Sequence, residues 1–349
     1  MEEMLKLNKE QEERAQELHQ KCVFINTLQS TAFSDEWLRR LRDGGLTGCN
    51  YCLSGAWEVE PLQVALHNMA EVYKIASRIS DVVTVATTVK QIRKAKKDNK
   101  LALCMGWQRP EPIKRDINLL QILHRIGLRI LQVTYQEKNF VGDGCGERTD
   151  CGLSNFGVEL IKEMNKLGIV VDLAHVGKKT TLETIELSED PVIFSHNGCT
   201  SIEDHQPANL RNKSNEEIKL LAEKGGVIGI IAYSPYLKYE NIPTIEDFMK
   251  HLDYAVELVG VDHVGIGLDG PAERQAFDPF VEKYPELVPI IPATGKKYVY
   301  ENIIVPELSK PEYLINIARG LVAHGYSDQD IQKILGENFL RVFEKAWKE

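Results

Sequence analysis

The chain has no apolar run near the ~20 residues that cross a bilayer. Its first 21 residues, MEEMLKLNKEQEERAQELHQK, are charged where a secretory signal carries an apolar core. Membrane insertion and export are therefore not expected. Basic charge is in deficit: 42 Lys and Arg stand against 51 Asp and Glu, for a formal net charge of -9. A nucleic-acid partner needs a basic face, so none is expected. No Gly-x-Gly-x-x-Gly follows a strand-like run, which argues against a dinucleotide fold. Seven cysteines are an odd number, and without an export signal they read as reduced thiols of a cytoplasmic protein. Cys49 and Cys52 form a CxxC inside an apolar strand pattern, with no second pair, and read as buried thiols.

What the chain has in abundance is short apolar, β-branched runs alternating with helix-like segments. Strands are expected at Val23–Leu28, Gly45–Leu53, Leu101–Trp107, Leu128–Thr134, Ile169–Ala174, Val192–Ser195, Val227–Tyr233 and His263–Asp269, with a short one at Val82–Thr88 in a side hairpin. Helices fill the gaps, Ser34 being the N-cap of one over Ser34–Asp43. The last helix is expected over Asp328–Lys345. About eight parallel-type strands with no linker and no repeat indicate one (β/α)8 TIM barrel over residues 1–349. The polar helix 1–21 flanks it. Two long loops, 136–154 and 270–306, are expected at the site, the second as an irregular lid.

In such a barrel the C-terminal strand ends face the active site. Two neighbouring strands end in histidine, His175 and His196, and their imidazoles can converge on a metal. Gln108, Tyr135, Tyr233 and Asp269 also sit at strand ends. Asp269 can bind the metal or take a proton from water. Arg211, in the loop after the His196 strand, can clamp a substrate carboxylate. The remaining histidines read as structural or exposed.

The segments GLSNFGVELIKEMNKLGIVVDLAHVG, PVIFSH, NLRN, GGVIGI, DHVGIGLDG and ILGENFLRVFE resemble, in order and spacing, the membrane (renal) dipeptidase family of the amidohydrolase barrels. The resemblance runs from Val23 to Phe343. It implies a zinc-dependent, homodimeric dipeptidase with a binuclear site. His175 and His196 match its two later histidines, Arg211 its carboxylate-holding arginine, Asp269 its catalytic aspartate, and Tyr233 falls near a substrate-lining tyrosine. Three positions depart from the pattern. The first-strand His-x-Asp is replaced by Leu28 and Ser30, the bridging Glu by Gln108, and the histidine that polarises the scissile carbonyl by Tyr135. The expectation is therefore one zinc-like ion on His175, His196 and Gln108, with Asp269 as general base and Tyr135 as oxyanion donor. Cys145 or Glu147, in the glycine-rich loop, are possible substitute ligands. The expected reaction is hydrolysis of an amide or dipeptide-like bond in a small carboxylate-bearing substrate. A metal-dependent lyase, isomerase or decarboxylase is the alternative, and a non-catalytic binding protein a third.

Overall fold

Strand-forming residues recur at the spacing of βα units, and each run is buried because helices cover it. The computed structural model describes residues 5–29, 34–53, 61–205, 208–283 and 289–348. Eleven strands are described: β1 Ile25–Gln29, β2 Gly48–Cys52, β3 Val83–Val85, β4 Leu101–Trp107, β5 Leu128–Gln132, β6 Val170–Asp172, β7 Ile193–Asn197, β8 Val227–Ile230, β9 Val264–Ile266, β10 Ile290–Ile291 and β11 Lys296–Lys297. Eight of them pair in the parallel order β1-β2-β4-β5-β6-β7-β8-β9, a nearly closed (β/α)8 barrel. The short strand expected in a side hairpin is instead β3, parallel to the first residues of β4. It shares that edge of β4 with β5, which pairs further along at Met105–Trp107.

Among the described residues no backbone ladder joins β9 to β1. Side chains close the seam. Asn26 Oδ1 accepts from the Leu268 N–H (2.9 Å), and Asn26 Nδ2 donates to the Gly270 carbonyl (2.7 Å). Gln29 Nε2 donates to the Pro271 carbonyl (2.8 Å). Thr27 Oγ1 donates across the barrel to the Ser195 and Ile266 carbonyls (2.6 and 3.0 Å). This contact leaves no room for a side chain at position 229 in β8 or at position 267 just past β9. A Cβ on Gly229 or Gly267 would collide with the Ser195 carbonyl. Leu28, where the family resemblance places a metal ligand, is buried core. Ser30 lies outside the described residues.

Two further expectations need correction. The helix over Asp328–Lys345 is interrupted by a π turn at Lys333–Glu337. There Gly336 lies directly against the Val23 carbonyl, so the wider turn lets the helix approach the start of β1. The segment 270–306 is more ordered than its sequence suggests. It contains a helix at Arg274–Lys283 and the hairpin β10–β11, while residues 284–288 lie outside the description. It returns to the barrel rim through Ser234 N–H to Ile303 O and Val305 N–H to Ala232 O (both 2.9 Å). No helix among the described residues is long and apolar enough to cross a membrane.

Asn26→Leu would leave the Leu268 N–H and Gly270 C=O buried without these partners. The expected loss is about 2–5 kcal/mol in urea unfolding, whereas a change under 0.5 kcal/mol would show that the seam does not depend on Asn26.

Candidate metal and active site

The site forms where β6 and β7 end. Each strand is apolar up to its last residues, so its terminal polar groups gather at the barrel mouth. His175 and His196 are buried, and their Nε2 atoms lie 3.0 Å apart. Burial lowers both imidazole pKa values well below the usual range, and the Arg211 charge lowers them further. Both rings are therefore neutral near pH 7, the form that binds metals.

The two rings are held differently. His196 Nδ1 lies 2.7 Å from Ser195 Oγ, which donates to Asp172 Oδ2 (2.5 Å). Asp172 Oδ1 accepts from the Ala174 and Ser195 N–H groups (3.1 and 3.0 Å). Burial raises the Asp172 pKa, and these donors oppose the rise. His175 instead stacks on Tyr135, with centroids 4.0 Å apart and planes at 24°. The Arg109 guanidinium also lies over the Tyr135 ring, 4.7 Å from its centre. His175 Nδ1 has no hydrogen-bond partner.

Gln108 joins the pair, its Nε2 lying 3.4 Å from His196 Nε2. Its Oε1 accepts from the Cys52 thiol at 3.3 Å. Arg211, from the short helix Ala208–Arg211, donates from Nη1 to the Ala174 carbonyl and from Nη2 to the His196 carbonyl (2.7 Å). It thus ties the loop after β7 to both histidine-bearing strand ends, and its Nε–H is buried without a partner. Tyr233 and Tyr236 line the mouth with ring centres 5.1 Å apart.

Asp269 follows β9 with φ 56°, in the left-handed region. Its neighbours on both sides, Leu268 and Gly270, are those held by Asn26. Aspartate tolerates this conformation better than most residues, and such strain concentrates at functional positions. The residue keeps some solvent access at the mouth, but protein surrounds the carboxyl on its other sides. Burial pushes its pKa up to about 7 against the lowering effect of Arg211.

The glycine-rich loop does not bring a carboxylate to the imidazoles. Asp143 is buried within the loop's own framework. Its Oδ2 accepts from the Cys151 N–H, and its backbone bonds Thr180 and Gly177. Glu147 is exposed, and its Oε1 accepts from the Lys138 N–H (2.7 Å). Cys145 comes closer, its N–H donating to the His175 carbonyl (2.9 Å), but burial raises its thiol pKa. Among the described residues, the only three His, Cys, Asp or Glu groups gathered within 4.8 Å of one another are Glu203, Asp204 and His205, away from this pair.

The donor set can be tested against a metal. Two Zn–N bonds of ~2.05 Å at a tetrahedral angle place the nitrogens about 3.3 Å apart. The observed 3.0 Å separation of neutral, converging Nε2 atoms fits one divalent ion. A turn of the Gln108 amide would bring its oxygen towards the same point, since amide O and N are assigned from partners alone. Leu28 and the neutral Gln108 do not supply the charge of a second, bridged ion. The polar residues not anticipated from sequence are Asp172, Ser195, Arg109 and Tyr236. Asp172 could have been noticed as a carboxylate within the apolar run IVVDLAH, because a buried charge needs donors.

The family model of membrane dipeptidase (Peptidase family M19) matches residues 14–297. The chain belongs to this family. The chain is 27% identical over 291 residues to Dipeptidase verJ of Clonostachys rogersoniana; the match covers 83% of this chain and 66% of that protein's length. An amidohydrolase from Pseudomonas aeruginosa superposes with TM-score 0.84 at 31% identity, covering 96% of this chain and 99% of that one. A metallo peptidase from Rhodobacter sphaeroides, solved with a phosphinate mimic of L-Ala-D-Ala, shares the fold at TM-score 0.74 and 19% identity over 93% of this chain and 99% of its own.

The Asp269 pKa predicts a pH-dependent stability difference. The folded value, about 7, exceeds the unfolded ~3.9, so folding favours the protonated form. Below about pH 4 both states are protonated and Asp269 has no effect. Between about 4 and 7 the unfolded state alone ionises, and stability is lost as pH rises. In metal-free protein, Asp269→Asn should match the parent's melting temperature near pH 4 and exceed it increasingly towards pH 7–8; a constant offset would refute the raised pKa.

Proposed function

We propose that the protein is a one-metal hydrolase that cleaves a dipeptide or similar amide bearing a free carboxylate. The observation that carries this reading is the pair of neutral, buried imidazoles 3.0 Å apart, with a carboxyl of pKa about 7 at the same barrel mouth. His175 and His196 would hold the ion, with Gln108 beside them. A divalent ion there supplies Lewis acidity and lowers the pKa of water.

The chain's own groups account for the remaining steps. A carboxyl titrating near neutrality suits a general base, so Asp269 takes the proton from attacking water and passes it to the leaving amine. Burial raises the Tyr135 pKa well above the usual phenol range, so its hydroxyl stays protonated and can donate to the developing oxyanion. Contacts with Arg109 and with the His175 ring hold the Tyr135 ring for that purpose. Arg211 places its positive charge and an unpartnered Nε–H beside the imidazoles, which suits a substrate carboxylate. Tyr233 and Tyr236 would flank the substrate side chains. The seven free thiols, five of them buried, suit a reducing compartment such as the cytoplasm.

The test is release of free amine from a panel of L,L- and L,D-dipeptides by zinc-loaded protein. Hydrolysis is expected, abolished by His196→Ala, with kcat lowered about 100-fold by Tyr135→Phe and KM little changed. Metal binding without amine release from any dipeptide would contradict the hydrolase reading and favour lyase chemistry on a small carboxylic acid.

A further inference from the structure

We propose that Asp172 and Ser195 are positioning residues that set the tautomer of His196, keeping its Nε2 lone pair facing the barrel mouth. Hydrogen-bond polarity runs one way along a buried chain from His196 through Ser195 to Asp172. Asp172 Oδ1 is occupied by two backbone N–H donors, Ala174 and Ser195, so its orientation is fixed. Its Oδ2 accepts from Ser195 Oγ at 2.5 Å. The serine hydroxyl has one proton, and it is directed at the carboxylate. Towards His196 the oxygen can therefore only accept, and the 2.7 Å contact requires the proton to sit on Nδ1. Nε2 is left without a proton and can accept, 3.0 Å from His175 Nε2 and 3.4 Å from the Gln108 amide nitrogen. A carboxylate thus orients an imidazole through an intervening hydroxyl, where direct contact is the more usual arrangement.

The control is one-sided. His175 Nδ1 has no hydrogen-bond partner, so no equivalent chain fixes that ring's proton. Without an ion, His175 can donate from Nε2 to His196; to bind one, it must move that proton to Nδ1. Asp172 and Ser195 therefore make His196 the preorganised member of the pair and leave His175 the adjustable one.

Asp172→Asn should reverse this polarity. With Oδ1 still held by two N–H donors, the side-chain amide would present N–H to Ser195 Oγ. The serine would then donate to His196 Nδ1 and drive the imidazole proton to Nε2. Ser195→Ala would instead remove the partner and leave a mixture. Tautomers are read from nitrogen-15 spectra of histidine-labelled, metal-free protein, and affinity from titration with zinc. Wild type should show His196 protonated on Nδ1. Asp172→Asn should shift it to Nε2, Ser195→Ala should give both forms, and each variant should bind zinc 10- to 100-fold more weakly. The proposal is overturned if wild-type His196 carries its proton on Nε2, or if Ser195→Ala retains a single Nδ1-protonated form and wild-type zinc affinity. Should Asp172→Asn fail to fold, Ser195→Ala decides alone. The zinc comparison rests on the metal reading given above, but the tautomer comparison does not. A wild type that binds no zinc would remove the first and leave the second to decide.

Discussion

The barrel is closed where its first and last strands meet by side chains, without a backbone ladder among the described residues. Asn26 satisfies the Leu268 N–H and the Gly270 C=O, and Thr27 reaches the Ser195 and Ile266 carbonyls. These contacts fix the ends of β1, β7 and β9 relative to one another. Between the two groups that Asn26 holds lies Asp269, in a left-handed conformation. The position of the proposed base is thus set by the seam, and so is the carbonyl of the residue preceding His196. Glycines at 229 and 267 are the sterically permitted choice because the Ser195 carbonyl of β7 and the Thr27 hydroxyl of β1 fill the barrel interior there.

At the mouth, the arrangement sets buried neutral imidazoles beside a cation. Arg211 depresses the imidazole pKa values while tying both histidine-bearing strand ends together through their carbonyls. A cation this close repels a bound metal but attracts a carboxylate. The balance suits a site in which metal and anionic substrate are held together. With two neutral imidazoles and a neutral amide, an ion would retain strong Lewis acidity and be bound less firmly than by carboxylate ligands.

Much of this was legible in the sequence, for identifiable reasons. The strand runs, the histidines at the ends of β6 and β7 and Asp269 beyond β9 follow from residue patterns in a parallel barrel. The same pattern offers Tyr233 at a strand end and Arg211 in the loop after β7, and the family resemblance adds the roles expected of them. The seam was not legible, because Asn26 and Gln29 sit in what reads as a decayed ligand motif, and their partners lie more than 200 residues away. The Asp172–Ser195–His196 chain was hidden because both added residues fall inside apolar strand runs, where only register reveals that they face one another. The acidic residues of the glycine-rich loop looked like ligands by composition. In the fold Asp143 and Glu147 satisfy the loop's own amides instead. The break in the last helix depends on contact between Gly336 and Val23, which no local periodicity records.

On the one-metal reading proposed above, His175 and His196, with Gln108 beside them, hold a single ion, and no second ion binds at the barrel mouth. Elemental analysis of purified, metal-reconstituted protein, with anomalous scattering to locate the ion, tests this most directly. One divalent ion per chain is expected, bound between His175 and His196 and absent from His196→Ala. Two ions at the barrel mouth, or none, would contradict it.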